Sequence, residues 1–368
     1  VRGGGRKTTL FIQRAGERWF LSFVLSCFFF TGHAVQASLV YQEGRLLMGT
    51  VVTLTIPTDD AELARSAAEQ AFAAMERIEQ CMSTYRAESE LSQLNRAAAS
   101  EAVPVSADLF TVISAALDYA RLTDGAFDVT VGPAMEAWGF VSRKWRVPGA
   151  EELEHLRKIV GYELVRLDGG QHSVHFARDG VAVDLGGIAA GYAVDAARHV
   201  LEEAGVADAM INAGGDIYVM GGQPGQGTWN VGIRHPFDDG RLLTTIAVTN
   251  RAVATSGNAN RSFMRDGVMY GHILDPRTLL PARGVVSSTV IAPTAIMADA
   301  LATGVFVLGP DEGLRLLNRL PEVEGIICAG ESFGGTDLRV LVSDGLKGKV
   351  DVLERPADAT LASEGGKP

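Results

Sequence analysis

The sequence predicts an α+β fold, with helices packed on a mixed or antiparallel sheet, and three observations carry this. Short apolar runs bounded by tight turns, such as Met210–Asn212 and Ile217–Met220 on either side of AGGD at Ala213–Asp216, read as neighbouring strands. Ala61–Met82 sets Leu63, Ala67, Ala68, Ala71, Met75 and Ile78 on one side at helical spacing. Val183–Leu201, VDLGGIAAGYAVDAARHVL, leads from an apolar β-type run, Val181–Leu185, through Gly186 and Gly187 into a helix. Ala193, Ala196, Ala197, Val200, Leu201 and Ala204 recur there at helical spacing up to a stop at Gly205. With 47% apolar residues, 368 residues suffice for a substantial core, in one large domain or two.

The chain opens with Arg2, Arg6, Lys7, Arg14 and Arg18 ahead of the apolar run Trp19–Phe30, which is of signal-peptide length and short for a membrane span. Val35 and Ala37 occupy the small-residue positions of a cleavage site. Residues 1–37 therefore read as a signal peptide, and an exported mature protein would begin near Ser38. An uncleaved N-terminal anchor, or lipidation at Cys27 through the poor lipobox VLSC, are the alternatives. Removing the basic start leaves a body more acidic than the net −11 of the whole chain. Such a body lacks the footprint of a nucleic-acid binder, so a phosphate-bearing ligand would be held by backbone and metal. Cys81 and Cys328 have no metal-ligand spacing, and export permits a disulfide between them without implying one.

Leu46–Ile56 reads as a strand interrupted by Gly49, and Met82–Asn95 as polar and turn-like. Ser106–Leu122 is a helix capped by Ser106, ending at Asp124-Gly125 and leading into AFDVTVGP at Ala126–Pro133. Pro148–Tyr162 reads as a charged helix, followed by strands at Leu164–Leu167 and Ser173–Phe176. Trp229–Ile233 and Leu243–Val248 are strands around the loop HPFDDG. Beyond Leu341 the chain turns polar, and from Pro356 it reads as a disordered tail.

Ala295–Leu308, AIMADALATGVFVL, carries the strongest chemical signal. Apart from Gly304, its only non-apolar members are Asp299 and Thr303, and their i, i+4 spacing puts both oxygens on one face of a helix otherwise fit for burial. A buried carboxylate must be paired, neutralised or bound to a cation, and this segment offers no Lys or Arg. Carboxylate, hydroxyl and backbone carbonyls suit Mg²⁺ better than zinc. The bland reading pairs Asp299 with a distant Arg and returns Thr303 to its own helix. His272, in YGHILDP, lies in an apparent strand entering a turn at Asp275-Pro276, as a proton acceptor or a structural histidine. Thr255-Ser256-Gly257 offers hydroxyls to phosphate. Asp184 stands beside a glycine turn and a helix N-terminus that favours anions, or else simply caps that turn.

Taken together, MGT at Met48–Thr50, STYRAESELSQLN at Ser83–Asn95, DGAFDVTVGP at Asp124–Pro133, VDLGGIAAGYAVD at Val183–Asp195, AGGD, ATSGN at Ala254–Asn258, HILDP at His272–Pro276 and APTAIMADALAT at Ala292–Thr303 resemble, in this order, the FAD:protein FMN transferases, or ApbE proteins. The resemblance runs from about Leu46 to Leu341. It implies a single α+β domain, residues 38–355, with FAD in a cleft and Mg²⁺ between the pyrophosphate and the protein. It implies FAD contacts at Met48, Tyr85, Ala126, Phe127, Asp128, Asp184 and Ile273, to which the Thr255-Ser256 hydroxyls are added. Metal ligation falls to Asp299 and Thr303, with backbone carbonyls of Gly187 and Ala302, and a catalytic role to His272. Ala190 departs from the pattern, since many members have Lys or another long polar residue there. That leaves one cofactor contact missing or supplied elsewhere.

The activity so implied is attack by a Ser or Thr hydroxyl of an acceptor protein on the FMN-side phosphorus of FAD, expelling AMP. His272 is the first candidate for the base, with Asp299 second. Acceptors would be subunits of membrane redox complexes or extracytoplasmic electron-transfer flavoproteins, met in the periplasm or at the outer face of the inner membrane. An FAD pyrophosphatase releasing FMN and AMP, and a non-catalytic flavin-binding protein, are the rival readings.

Overall fold

The computed structural model describes residues 39–258, 261–330 and 338–351; the expected signal peptide with Cys27, and the expected tail from Pro356, lie outside them. In chain order the first half forms β1 (Val40–Leu47), β2 (Thr50–Pro57), α1 (Ala61–Met82), α2 (Glu90–Ala97), β3 (Val103–Pro104), α3 (Ala107–Leu122), α4 (Gly132–Ala137), α5 (Ala150–Leu156), β4 (Val165–Asp168), β5 (Ser173–Phe176) and α6 (Ala189–Glu203). There follow β6 (Ala209–Ala213), β7 (Asp216–Met220), β8 (Trp229–His235), β9 (Asp238–Val248), β10 (Arg251–Gly257), β11 (Ser262–Arg265), β12 (Val268–Gly271), β13 (Leu274–Asp275) and β14 (Leu280–Pro281). The chain closes with β15 (Val285–Ala292), α7 (Ala295–Leu308), α8 (Pro310–Arg319), β16 (Glu324–Ala329) and β17 (Arg339–Val342).

The main sheet runs β1-β2-β6-β7-β10-β15-β16-β17, and every neighbouring pair is antiparallel. Strand alternation gives it two unlike faces. Leu54, Ile211, Ala213, Tyr218, Ala252, Ala254 and Val290 join the core under α1, α6 and α7. Val219, Val253, Ile291 and Ile326 turn the other way, to Trp229, Val231, Ile233 and Ile246 of the β8–β9 ribbon. Small residues let the helices approach one another: Ala64, Ala67, Ala68 and Ala71 of α1 are fully buried. Helix α7 is apolar nearly all round and is sunk in the protein, with Ala298, Leu301, Val305 and Phe306 fully buried. Each of its larger side chains contributes about 1.5–3 kcal/mol by leaving water.

Several sequence expectations change. The strand expected across Gly49 is a hairpin, with Met48 (φ 53) and Gly49 (φ 74) as its left-handed turn between β1 and β2. The polar stretch after Met82 contains α2, capped by Ser89, whose hydroxyl accepts from the Ser92 N–H at 3.0 Å. Only Leu91 and Leu94 are buried there, too few apolar positions to show a period. The charged helix expected over Pro148–Tyr162 holds only at α5. Val181–Leu185 joins no sheet: Asn95 of α2 saturates Val183, accepting from its N–H at 2.8 Å and donating to its carbonyl at 2.9 Å. Cys81 and Cys328 are both free thiols.

Candidate active site

Helix α7 supplies Asp299 and Thr303, and its start is held by α6. Thr294 makes no side-chain cap. Asp195 does so from across the interface, accepting the Ala295 and Ile296 N–H groups at 2.9 Å each. Asp195 is buried, and burial raises its pKa against the pull of those two N–H groups and of Arg198. Asp195→Ala would leave two helix N–H groups without acceptors, at about 1–3 kcal/mol each. A loss of about 2–4 kcal/mol in a denaturant titration is the expected outcome.

Gly191 in the first turn of α6 fixes Asp299. Its N–H donates to Asp299 Oδ2 at 3.0 Å, and a Cβ at Gly191 would fall 2.3 Å from the Ala295 carbonyl oxygen and 2.9 Å from Asp299 Cβ. Only glycine permits that approach. One turn further along α7, Thr303 Oγ1 lies 3.0 Å from Ser256 Oγ, on the helix-facing side of β10. A Cβ on Gly187 would stand 3.3 Å from Thr303 Oγ1 and 3.4 Å from the Phe127 ring, so the Gly187 backbone lies against the Asp299–Thr303 face. The structure thus brings Asp299, Thr303, Ser256, Gly187 and Phe127 together.

Asp216, at the start of β7, closes the AGGD motif, to which the sequence assigns no contact of its own. The pairing Ile217↔Val253 places it beside the Ala254–Ser256 end of β10, and strand alternation turns it to the helix face. Its pKa is raised well above the ordinary range by burial and by the charge of Asp299; burial also raises Asp299, opposed by the Gly191 N–H. No donor among the described residues reaches the Asp216 carboxylate. Such a carboxyl contributes stability that is fully present below its unfolded value and is lost as pH rises through its folded value. Metal-free Asp216→Asn should therefore melt higher than the wild type at about pH 8, with the gap closing toward about pH 4.

Asp184 is half-buried and accepts the Gly186 N–H at 2.8 Å, while its own N–H donates to the Val129 carbonyl at 2.7 Å. Burial raises its pKa, and the Gly186 N–H and Arg261 oppose the rise. Arg261 also acts on His272, so Asp184 and His272 share one cation. His272 sits where β12 ends and before β13 begins, which breaks the strand expected to continue through it. Its N–H donates to the Arg261 carbonyl at 3.0 Å, and Nδ1 is buried with no partner among the described residues. Burial, then Arg261, lowers its pKa to about 4, so the ring is neutral at pH 7. Next to it the Ile273 N–H donates to Asn258 Oδ1 at 3.3 Å, tying this segment to the end of β10.

The remaining expected contacts divide. Ala126, Phe127 and Asp128 are buried, but the Asp128 carboxylate is occupied by the Thr130 N–H at 2.8 Å, the Thr130 hydroxyl at 2.6 Å and the Tyr162 N–H at 2.7 Å. It holds its own loop in shape. Met48 is in the β1–β2 turn, and a Cβ on Gly214 would meet Thr50 Oγ1 at 2.4 Å, which sets that turn against the one before Asp216. Ala190 is half-buried in the first turn of α6. Ala302 is fully buried inside α7, where the helix takes up its carbonyl. Tyr85 is 69% exposed, and among the described residues no hydrogen bond joins its side chain to the others. Thr255 points away: it lies on the far face of β10, 2.9 Å from Thr289 Oγ1 across the strand pair.

The donors around Asp299 are all oxygens. Among the described residues no group of three or more His, Cys, Asp and Glu side chains could hold a metal ion. Hydroxyl, backbone and ligand oxygens would have to complete a cation shell, which fits a hard ion that keeps water or phosphate ligands.

Fold and site define an α+β protein whose buried helix carries a cluster of oxygen atoms at Asp299 and Thr303, closed by Gly191 and Ser256. The chain belongs to the ApbE family, whose model matches residues 48–327. It is 38% identical to the FAD:protein FMN transferase of Vibrio cholerae serotype O1 over 67% of this chain and 75% of that one. Against the enzyme of the same name from Treponema pallidum the identity is 32%, over 85% and 90%. Among solved structures it is similar to the ApbE protein of Thermotoga maritima, with TM-score 0.76 and 35% identity over 84% of this chain and 98% of that one. The flavin transferase ApbE of Vibrio cholerae gives TM-score 0.74 and 31% identity over 84% and 99%.

Proposed function

We propose that the protein transfers the FMN moiety of FAD to an acceptor protein, with a Thr or Ser hydroxyl as nucleophile, AMP as leaving group and Mg²⁺ as the required ion. Family membership supports the transferase activity. The observation that carries the metal is Asp299, a carboxylate sunk in an apolar helix with Thr303 on the same face and, among the described residues, no cation paired with it. Asp299 and Thr303, with the Gly187 backbone, would hold the ion, and Asp216 is near enough to feel its charge. When bound, the ion supplies charge neutralisation at the diphosphate.

The chain's own residues do the rest. The acceptor oxygen bonds to the FMN-side phosphorus, the bond from that phosphorus to the bridging oxygen breaks, and AMP leaves with that oxygen. The hydroxyl proton passes to the imidazole of His272. Because Nδ1 is sealed, Nε2 is the nitrogen left to receive it, which requires the neutral ring to carry its proton on Nδ1. Asp184 and Gly186 position the turn that opens α6.

Export, inferred from the basic start, Trp19–Phe30 and Ala37, would put the enzyme where extracytoplasmic redox proteins are found; an N-terminal anchor or lipid at Cys27 would hold it at the membrane. Incubation with FAD, Mg²⁺ and cell extract, followed by a denaturing gel, tests the reading. Covalently fluorescent bands and released AMP are expected. AMP with no labelled protein would mean a hydrolase, and neither would mean a flavin binder.

A further inference from the structure

Pairing in the β11–β12 ribbon extends one residue past its last strand pair. Ser262 is paired with Gly271, and the next step sets Arg261 opposite His272, whose N–H donates to the Arg261 carbonyl at 3.0 Å. Side chains of residues paired in this way leave a ribbon on the same side. That side also carries the pair Phe263 and Tyr270, and Phe140, 5.7 Å from Phe263, meets the His272 ring edge-on at 6.4 Å. The end of β10 packs on this junction: Asn258 Oδ1 accepts the Ile273 N–H, and a Cβ on Gly271 would fall 2.2 Å from Asn258 Cγ. Two residues before Asn258 stands Ser256, which reaches Thr303. Arg261 and His272 thus lie together at the end of the strand that leads to the Asp299–Thr303 face.

Arg261 is exposed, and among the described residues its guanidinium has no ion pair and no hydrogen bond. Arg265 on the same ribbon and Arg277 just past β13 are instead paired, with Asp266 and Asp275. The charge of Arg261 pulls the pKa of both Asp184 and His272 downward, and among the described residues no other cation acts on Asp184, Asp216, His272 or Asp299. Three carboxylates of the site thus stand against a single arginine, and a diphosphate would bring further negative charge.

We propose that Arg261 binds the FMN-side phosphate of FAD through that phosphate's non-bridging oxygens, and is the protein's own cation for the charge that builds there during transfer. This rests on the transferase reading. In-line displacement puts the attacking and leaving oxygens on opposite sides of the phosphorus. His272, as acceptor of the hydroxyl proton, stands on the attacking side, and Arg261 stands across the pairing from it. The bridging oxygen that leaves with AMP is on the far side. A planar guanidinium fork suits two phosphate oxygens at once, and an arginine with no ion pair gives up no protein partner to bind them.

The test titrates FMN, riboflavin and AMP into the protein with Mg²⁺ by calorimetry; FMN and riboflavin differ by the phosphate alone. The wild type should bind FMN at least about tenfold more tightly than riboflavin, and Arg261→Gln should lose about tenfold or more in FMN affinity while riboflavin and AMP bind as before. Arg261→Lys, which keeps the charge but not the fork, should recover part of the loss. Arg265→Ala, which removes the paired cation of the same ribbon, should change none of the three affinities. With FAD and cell extract, Arg261→Gln should label protein at least about 10²-fold more slowly than the wild type. Unaltered FMN affinity in Arg261→Gln, a loss confined to AMP, an equal loss for riboflavin, or an equal loss in Arg265→Ala would overturn the proposal. A wild type that labels no extract protein overturns the transferase reading, whereas one that labels protein while Arg261→Gln binds FMN normally overturns only the role of Arg261.

Discussion

Asp299→Asn should yield a folded protein that binds Mg²⁺ poorly and transfers FMN at least about 10³-fold more slowly. The amide keeps the shape of the carboxyl and an oxygen to accept the Gly191 N–H, so the α6–α7 contact survives. What disappears is a negative charge buried near Asp216, with no cation paired to it among the described residues. In the metal-free wild type that charge is unfavourable, because burial lifts Asp299 to about 7, and burial and the charge of Asp299 raise Asp216 as well. The sign follows directly: carboxyls raised on folding contribute stability that is present below their unfolded values and is lost as pH rises through about 7. Metal-free Asp299→Asn should accordingly melt at or above the wild type near neutral pH. Saturating Mg²⁺ should raise the wild-type midpoint by mass action and leave that of the variant unmoved. A variant whose midpoint rises with Mg²⁺ like the wild type would place the ion elsewhere, whatever its activity.

The segments readable from sequence were those in which one period and one environment dominate. Helix α1 and helix α7 are of this kind, and so was the pairing of Asp299 with Thr303, since i, i+4 spacing in an apolar segment fixes a shared face. Asp216, Asp195 and Gly191 were not legible as site residues. Each acts across a tertiary contact: Asp195 caps a helix 100 residues further on, and Gly191 reaches Asp299 over 108. Local pattern carries no trace of such partners. Thr255 illustrates the opposite failure. In ATSGN its hydroxyl looks as useful as that of Ser256, yet adjacent strand residues face opposite ways, and only register shows which of the two meets α7. Val181–Leu185 was apolar enough for a strand, but Asn95 took the hydrogen bonds that a neighbouring strand would have made.

His272→Ala should leave FAD affinity close to that of the wild type and slow transfer by roughly 10²- to 10⁴-fold, the usual worth of a positioned general base. Strand geometry alone would have set His272 and Ile273 on opposite sides. The break between β12 and β13 removes that constraint, with Asn258 holding the Ile273 N–H and the Arg261 carbonyl holding the N–H of His272. The pH profile separates a base from a spacer. Burial and Arg261 hold the imidazole at about 4, so kcat/KM, which reports the free enzyme, should show its acid limb near pH 4 and not near the ordinary histidine value, and the variant should lack that limb. Stability gives an independent check. A histidine depressed on folding contributes stability that is present above its unfolded value and is lost as pH falls toward about 4, and His272→Ala should lack this acid loss. His272→Gln keeps much of the volume against Phe140, so a rate restored by Gln would mark a packing role. Transfer at the wild-type rate in both variants would remove His272 from the chemistry and leave Asp216 or Asp299 as the proton acceptor.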